Sequence, residues 1–371
     1  MEHEKIRIAI VSPNQNVFSE TFIQAQKEGL QGKVYYYYGG DLPNQLEGYG
    51  KVLAKGKKRL YTILRLLKIT DLKPNELAFY NSLKRNKIQV VIAQYGFTAN
   101  RIIEICKRAN VALITHFHGY DAAVNSVIEA NQNYQSVFKN SRYVIAVSQL
   151  MYENLAVLGC PKEKLVYCPY GPHNDFLKVH ANLNTQVFVG IGRFVNKKAP
   201  YLTILAFQKV VQSFPSAKLV LAGTGELLEV CVNLVKQLGL DKKVSFPGIL
   251  SREGFIEYLK HSIAFVQHSV TALNGDQEGT PVAILEASAA GLPIIATRHA
   301  GIPDVIINNE TGILVNEHDV EGMANAMISV LTNNELAQRL GENGKKRIQE
   351  SFSMKKYLEN IDELVKQCCN E

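Results

Sequence analysis

Residues 276–304 read D-Q-E-G-T-P-V-A-I-L-E-A-S-A-A-G-L-P-I-I-A-T-R-H-A-G-I-P-D, and this stretch decides the fold. The Ala-rich apolar run 282–290 predicts a helix, with Thr280 as its cap and Pro281 in the first turn. Glu278 then lies in the loop entering the helix, and Glu286 lies about two turns inside it. The strand expected over 292–297 leads into a second glycine turn at 300–304. A glycine turn, a helix, a strand and a second glycine turn fit the alternating helices and strands of an α/β fold.

The amides of Gly279, Thr280 and Val282 lack intrahelical acceptors, and with the helix dipole they form a place for anionic oxygens such as a phosphate. Glu278 beside that place would repel a free anion, so it makes sense as a grip on something attached to the phosphate, such as a sugar hydroxyl. Glu286 is an acid in an otherwise apolar helix, and a carboxylate that accepts two hydroxyl hydrogen bonds suits a ribose diol. The bland alternative is an amphipathic helix with acids near its N-terminus. It leaves Glu286 unexplained.

The run 278–304 resembles the donor-site signature of the retaining family 4 glycosyltransferases, in which two glutamates are separated by seven residues. The resemblance implies the GT-B fold, an α/β architecture of two Rossmann-like domains whose parallel sheets face a central cleft. It further implies that Glu278 contacts the donor sugar and that Glu286 holds the ribose of the nucleotide. Four other motifs are similar to the same family. In G-R-F-V-N-K-K-A, Arg193 and Lys198 match the pair that clamps the diphosphate, although Ala199 stands where glycine is usual and Lys197 is an adjacent cation. H-G-Y-D, 118–121, resembles a first-domain motif whose histidine faces the donor sugar; His118 is therefore favoured over His116, and Asp121 is expected to hold the loop. In P-G-I-L, Ile249 is the candidate beside the nucleotide base. S-E-T-F-I, 19–23, is similar to the branch associated with surface polysaccharide assembly, and its loop lacks the Gly-Gly of many relatives.

At 371 residues, 46% hydrophobic and 20% charged, the chain suits two α/β domains of ordinary size. No apolar run approaches the length of a membrane span and no signal peptide is visible, so a cytoplasmic protein is expected. The six cysteines show no metal-ligand spacing and read as reduced thiols; with no D-x-D either, no metal and no cofactor beyond the donor substrate is predicted. The expected domains are an acceptor domain, 1–175, and a donor domain, 186–352, joined by a polar linker at 171–185. A final helix, 353–371, is expected to cross back to the first domain.

The net charge of +7 is uneven: residues 1–180 hold 23 basic and 14 acidic residues, which leaves the remainder at −2. Seven Lys or Arg and no acid fall within 51–68, where Leu60, Ile63, Leu64 and Leu67 recur on one helical face. Two readings stand: a helix that lies on an anionic membrane at the inner face, or a helix packed on the core with a solvated basic face. No nucleic-acid motif accompanies the charge. Ser19 is the expected cap of the first helix, and V-Y-Y-Y-Y, 34–38, reads as a structural strand.

The leading expectation is a retaining, metal-independent hexosyltransferase that moves a sugar from a nucleotide-diphosphate donor, UDP-sugar favoured, to a glycan or lipid-linked acceptor. His118 and Glu278 would act at the sugar. A nucleotide-sugar epimerase and a non-catalytic sugar-nucleotide binder on the same fold are the alternatives. A dinucleotide enzyme is disfavoured because G-I-G-R-F-V lacks the third glycine of that fingerprint.

Overall fold

A computed structural model describes residues 5–15 and 20–370. Ser19 lies outside them; the first helix, Thr21–Gly29, starts after Glu20. The chain divides into two units, one of Met1–Cys168 with Tyr357–Glu371 and one of Pro169–Lys356.

In the first unit, short apolar runs pair into an eight-stranded sheet. The strands are β1 Arg7–Val11, β2 Lys33–Tyr38, β3 Gln45–Leu46, β4 Gly50–Lys51, β5 Val90–Gln94, β6 Ala112–His116, β7 Tyr143–Ala146 and β8 Leu165–Tyr167. Their order is β4-β3-β2-β1-β5-β6-β7-β8, parallel from β2 to β8 and antiparallel at β2–β3 and β3–β4. Every residue of β5 is buried, as expected for a parallel strand covered on both faces. Tyr35, Tyr36 and Tyr37 are buried too, so the tyrosine run serves the core. The final helix, Met354–Cys369, is tied to this unit from Tyr357 onward: Gln26 donates to the Tyr357 hydroxyl at 2.6 Å, and the Gln31 amide donates to Asp362 at 2.8 Å.

The basic segment 51–68 differs from its expected form. Its helix spans only Lys57–Leu66, and the inward anchor is Tyr61, which packs with Leu72, Leu77 and Ala78 and accepts a hydrogen bond from Asn81. Leu64 is half-buried, but Leu60, Ile63 and Leu67 of the expected apolar face are exposed. An aromatic side chain with a polar end satisfies both the apolar cluster and Asn81, so it takes the inner position and turns the leucine ridge outward.

The second unit is wholly parallel. Its strands are β9 Val187–Ile191, β10 Lys218–Ala222, β11 Val244–Ser245, β12 Ala264–Gln267, β13 Ile294–Thr297 and β14 Gly312–Val315, in the order β11-β10-β9-β12-β13-β14. The order reverses between β9 and β12, and in such sheets ligands bind beyond the strand ends at this switch point. The polar stretch 171–185 contains a short helix, Asn174–Leu177, and buries Phe176 and Val179 in the second unit, with Phe176 edge-on to Phe255 at 5.7 Å.

Glycines set the backbone at the switch point. Gly223, after β10, has φ +128°, and a Cβ there would lie 1.9 Å from the Gly192 carbonyl oxygen, so only glycine lets these two loops touch. At Gly190 a Cβ would meet the Val266 carbonyl oxygen at 2.7 Å, so this glycine serves strand packing.

Candidate functional site

The loops that follow β9 and β12 bring Arg193, Lys198 and Glu278 to the switch point. After β9 the chain passes Arg193, which is exposed, and makes one short turn at Asn196–Lys198 before the helix Pro200–Ser213. Ala199, between them, has φ +35°, a left-handed conformation that explains why glycine is usual at this place in the family pattern. That turn points the two adjacent lysines in different directions.

Lys197 is buried in structure: its ammonium lies 2.9 Å from Asp276 and donates to the Gln277 carbonyl at 2.8 Å. Lys198 faces the site, where its ammonium lies 3.1 Å from Glu278 Oε1 and donates to Gln267 at 3.3 Å. Burial alone would raise the Glu278 carboxyl, but the neighbouring charges, those of Lys198 and Lys197 foremost, outweigh it and hold the group at about 2. Burial lowers the Lys198 ammonium while Glu278 draws it back up. The Glu278 carboxyl is therefore ionised at neutral pH, and Lys197 and Lys198 are matched by Asp276 and Glu278, so the excess positive charge at this end of the sheet comes from Arg193.

The Glu278 loop is fixed by residues that the motif reading did not include. The Glu278 amide donates to His299 Nε2 at 3.2 Å, which places the imidazole proton on Nδ1, and Nδ1 lies 2.6 Å from the Glu317 carboxylate. Glu317 also accepts from the Thr271 amide at 2.9 Å. His299 thus couples the loop before Glu278 to the loop after β13, and its own tautomer is set by Glu317. The only local signal was a histidine in the second glycine turn.

The helix runs from Val282 to Ala289, one residue later than expected. Pro281 adopts an extended conformation in the capping position and no side chain caps the helix, so Thr280 is not the cap. The Pro281 carbonyl accepts from Ile284 and Leu285. Among the described residues the amides of Gly279 and Val282 have no protein acceptor, as an anion site requires. Thr280 is buried beside them. Glu286, on the same helix, has its carboxyl pushed up to about 8 by burial, with only the Arg252 charge opposing the shift. Ile249 sits exposed on the loop after β11, which the Gly223 amide joins by donating to the Gly248 carbonyl at 2.7 Å.

His118 belongs to the first unit and is described there by itself. Asp121 accepts from the amides of His118 at 2.9 Å and Gly96 at 2.7 Å and so holds the loop after β6. The His118 ring stacks on Phe22 at 4.6 Å and meets Tyr95 edge-on. Gln94 donates to Gln26 at 2.6 Å, which leaves the Gln94 oxygen to accept from His118 Nε2 at 2.9 Å. Burial, then His116, holds His118 well below the usual imidazole range, so it is neutral. His116 is fully buried and bonded to Gln26, whereas His118 is partly exposed. Of the two, only His118 is placed to touch a ligand.

Residues 174–347 match the family described as Glycosyl transferases group 1. The amylovoran biosynthesis glycosyltransferase AmsK of Erwinia amylovora is 30% identical over 233 residues, 62% of this chain and 57% of that protein. The capsular polysaccharide biosynthesis glycosyltransferase CapM of Staphylococcus aureus is 24% identical over 237 residues, 60% of each chain. The chain spans less than two thirds of the length of the curated relatives it matches first. Among solved structures, Anabaena Alr3699/HepE in complex with UDP-glucose superposes with a TM-score of 0.77 at 15% identity, over 98% of this chain and 100% of that one. A glycosyltransferase from Rickettsia africae gives 0.75 at 18% identity over 99% of both chains. The two Rossmann-like units are those of the GT-B fold.

Proposed function

Starting from a Glycosyl transferases group 1 domain at residues 174–347, we propose that the protein is a cytoplasmic, retaining hexosyltransferase of family 4. In this reading it moves a sugar from a nucleotide-diphosphate donor to a glycan or lipid-linked acceptor in polysaccharide assembly. The observation that carries the proposal is the Lys198–Glu278 pair at the switch point, beside Arg193 and the unpaired amides of Gly279 and Val282. Breaking the bond between sugar and diphosphate leaves negative charge on the diphosphate. Arg193, Lys198 and the amides would receive it, and preorganised charge of this kind is usually the largest catalytic term. The chemistry then draws on protein cations rather than a bound metal. Glu278 would accept hydrogen bonds from hydroxyls of the transferred sugar, Glu286 would hold the ribose and Ile249 would flank the base. His118, being neutral, would orient the sugar by hydrogen bonding without supplying a proton. UDP is the favoured nucleotide, in keeping with the UDP and UDP-glucose bound by HepE.

Acceptor-free incubation with a panel of UDP- and GDP-sugars, read by mass spectrometry, tests the reading. Slow release of nucleoside diphosphate with free sugar is the expected result. Binding without release would place the protein among non-catalytic binders, and an isomerised sugar nucleotide would make it an epimerase; either overturns the proposal.

His299 is expected to act through Glu278. Replacing it with Ala removes the acceptor of the Glu278 amide, and a shift of about an ångström in a reacting group costs on the order of a hundredfold in rate. His299→Ala should therefore lower kcat by about tenfold to a hundredfold while the donor KM changes little, and Glu317→Gln should show a weaker form of the same split. A proportionate rise in KM with kcat intact would show that His299 does not position Glu278.

A further inference from the structure

We infer that the helix Lys57–Leu66 and the turn after it form a docking surface for an anionic lipid bilayer. Leu60, Ile63, Leu66, Leu67 and Ile69 are exposed by 51, 51, 76, 65 and 67%. Leu60, Ile63 and Leu67 recur at helical spacing on one side, and Leu66 adjoins them. The adjoining side of the helix is already occupied, because Tyr61 and half-buried Leu64 pack with Leu72 and Leu77. The exposed ridge is therefore a second apolar face without a partner in the unit. Exposed apolar side chains so closely grouped mark an interaction surface.

The charge on this surface identifies the partner. Lys57, Lys58, Arg59, Arg65 and Lys68 are all exposed, and among the described residues none of them pairs with a carboxylate. The nearby acid Asp71 is already engaged by both guanidinium nitrogens of Arg108. Positive heads around an aliphatic ridge match a layer with negative headgroups above hydrocarbon, into which the leucines can insert while the long basic stems reach back to the surface. A nucleic acid would use the charge but gain nothing from five aliphatic side chains, and the surface offers no aromatic ring for base stacking. No helix among the described residues is long and apolar enough to cross a membrane, so the attachment is peripheral. The inference goes beyond the proposed transfer reaction and is independent of it.

Co-sedimentation with vesicles tests it without any sugar nucleotide. The full chain should pellet with vesicles of phosphatidylcholine mixed with phosphatidylglycerol and stay in solution with phosphatidylcholine alone. One variant carries Lys58→Gln, Arg59→Gln, Arg65→Gln and Lys68→Gln; a second carries Leu60→Ser, Ile63→Ser, Leu66→Ser and Leu67→Ser. Each near-surface charge contributes about fivefold in partitioning, so the first should bind at least about a hundredfold more weakly. The second should lose binding as well, because the apolar ridge inserts. Every replaced side chain is exposed, and unchanged thermal unfolding confirms that the variants fold. Binding by neither vesicle type, equal binding by wild type and variants, or loss only of self-association in the variants would overturn the inference. Loss in the charge variant with full binding by the serine variant would also overturn it, since that result describes adsorption without insertion.

Discussion

Arg193→Ala combined with Lys198→Ala is expected to abolish sugar transfer, with kcat reduced by about a thousandfold or more. Removing one preorganised group that stabilises developing negative charge costs about a hundredfold to a thousandfold, and the two cations are proposed to act on the same departing diphosphate. They differ in what else they do. Arg193 is exposed, so Arg193→Ala alone should lower turnover without changing stability. Lys198 is buried against Glu278, and its removal leaves a buried carboxylate without its main partner. Breaking such a pair costs ~3–5 kcal/mol. Lys198→Ala should therefore unfold at lower temperature, and adding Glu278→Gln should restore much of the stability while leaving the protein inactive. The sign of the pH dependence follows from the depressed Glu278 carboxyl. Its contribution to stability is complete above the ordinary carboxylate range and is lost as pH falls toward about 2. Near-normal turnover in the Arg193→Ala/Lys198→Ala protein would refute a cationic clamp, and calorimetry across the set separates stability from chemistry.

Glu286→Ala is expected to weaken UDP binding by about a hundredfold, the effect of losing two hydrogen bonds to a charged acceptor. Because burial raises the Glu286 carboxyl to about 8, the group is mostly protonated at neutral pH. If the ribose diol binds the carboxylate, UDP affinity should rise as pH passes upward through about 8, with proton release on binding below that value. The linked effect on the free protein has the opposite direction. A raised carboxyl contributes stability that is complete below its unfolded value and lost as pH rises through about 8. Glu286→Gln should flatten both profiles while keeping more affinity than Glu286→Ala. Glu278→Gln, in contrast, should lower kcat far more than it weakens UDP binding. Titration calorimetry at several pH values decides the matter; unchanged UDP affinity in Glu286→Ala, or equal losses of affinity and turnover in both glutamate variants, would contradict the division of roles.

The parallel architecture of the second unit was legible because its strands are short apolar runs ending in glycine turns, and such runs fix local structure by themselves. The 276–304 stretch likewise revealed the Glu278 loop and the helix with Glu286, since those features depend on neighbours in sequence. What could not be read is the set of contacts between loops. Lys197 and Asp276 are 79 residues apart and Thr271 and Glu317 are 46 apart, so no spacing rule relates them. Only the fold shows that Lys197 anchors the loop while Lys198 faces the site. The Thr280 cap failed because Pro281 takes an extended conformation and delays the helix by one residue. The leucine ridge at Leu60–Leu67 was correctly periodic, but periodicity cannot tell which of two apolar faces turns inward, and Tyr61 won that position through its contact with Asn81.

A crystal structure with UDP bound tests the central claim most directly. Diphosphate oxygens are expected within about 3 Å of the Arg193 guanidinium, the Lys198 ammonium and the amides of Gly279, Thr280 and Val282, with the ribose hydroxyls on Glu286. A nucleotide seated elsewhere, with Lys198 still paired only to Glu278 and the amides untouched, would contradict it.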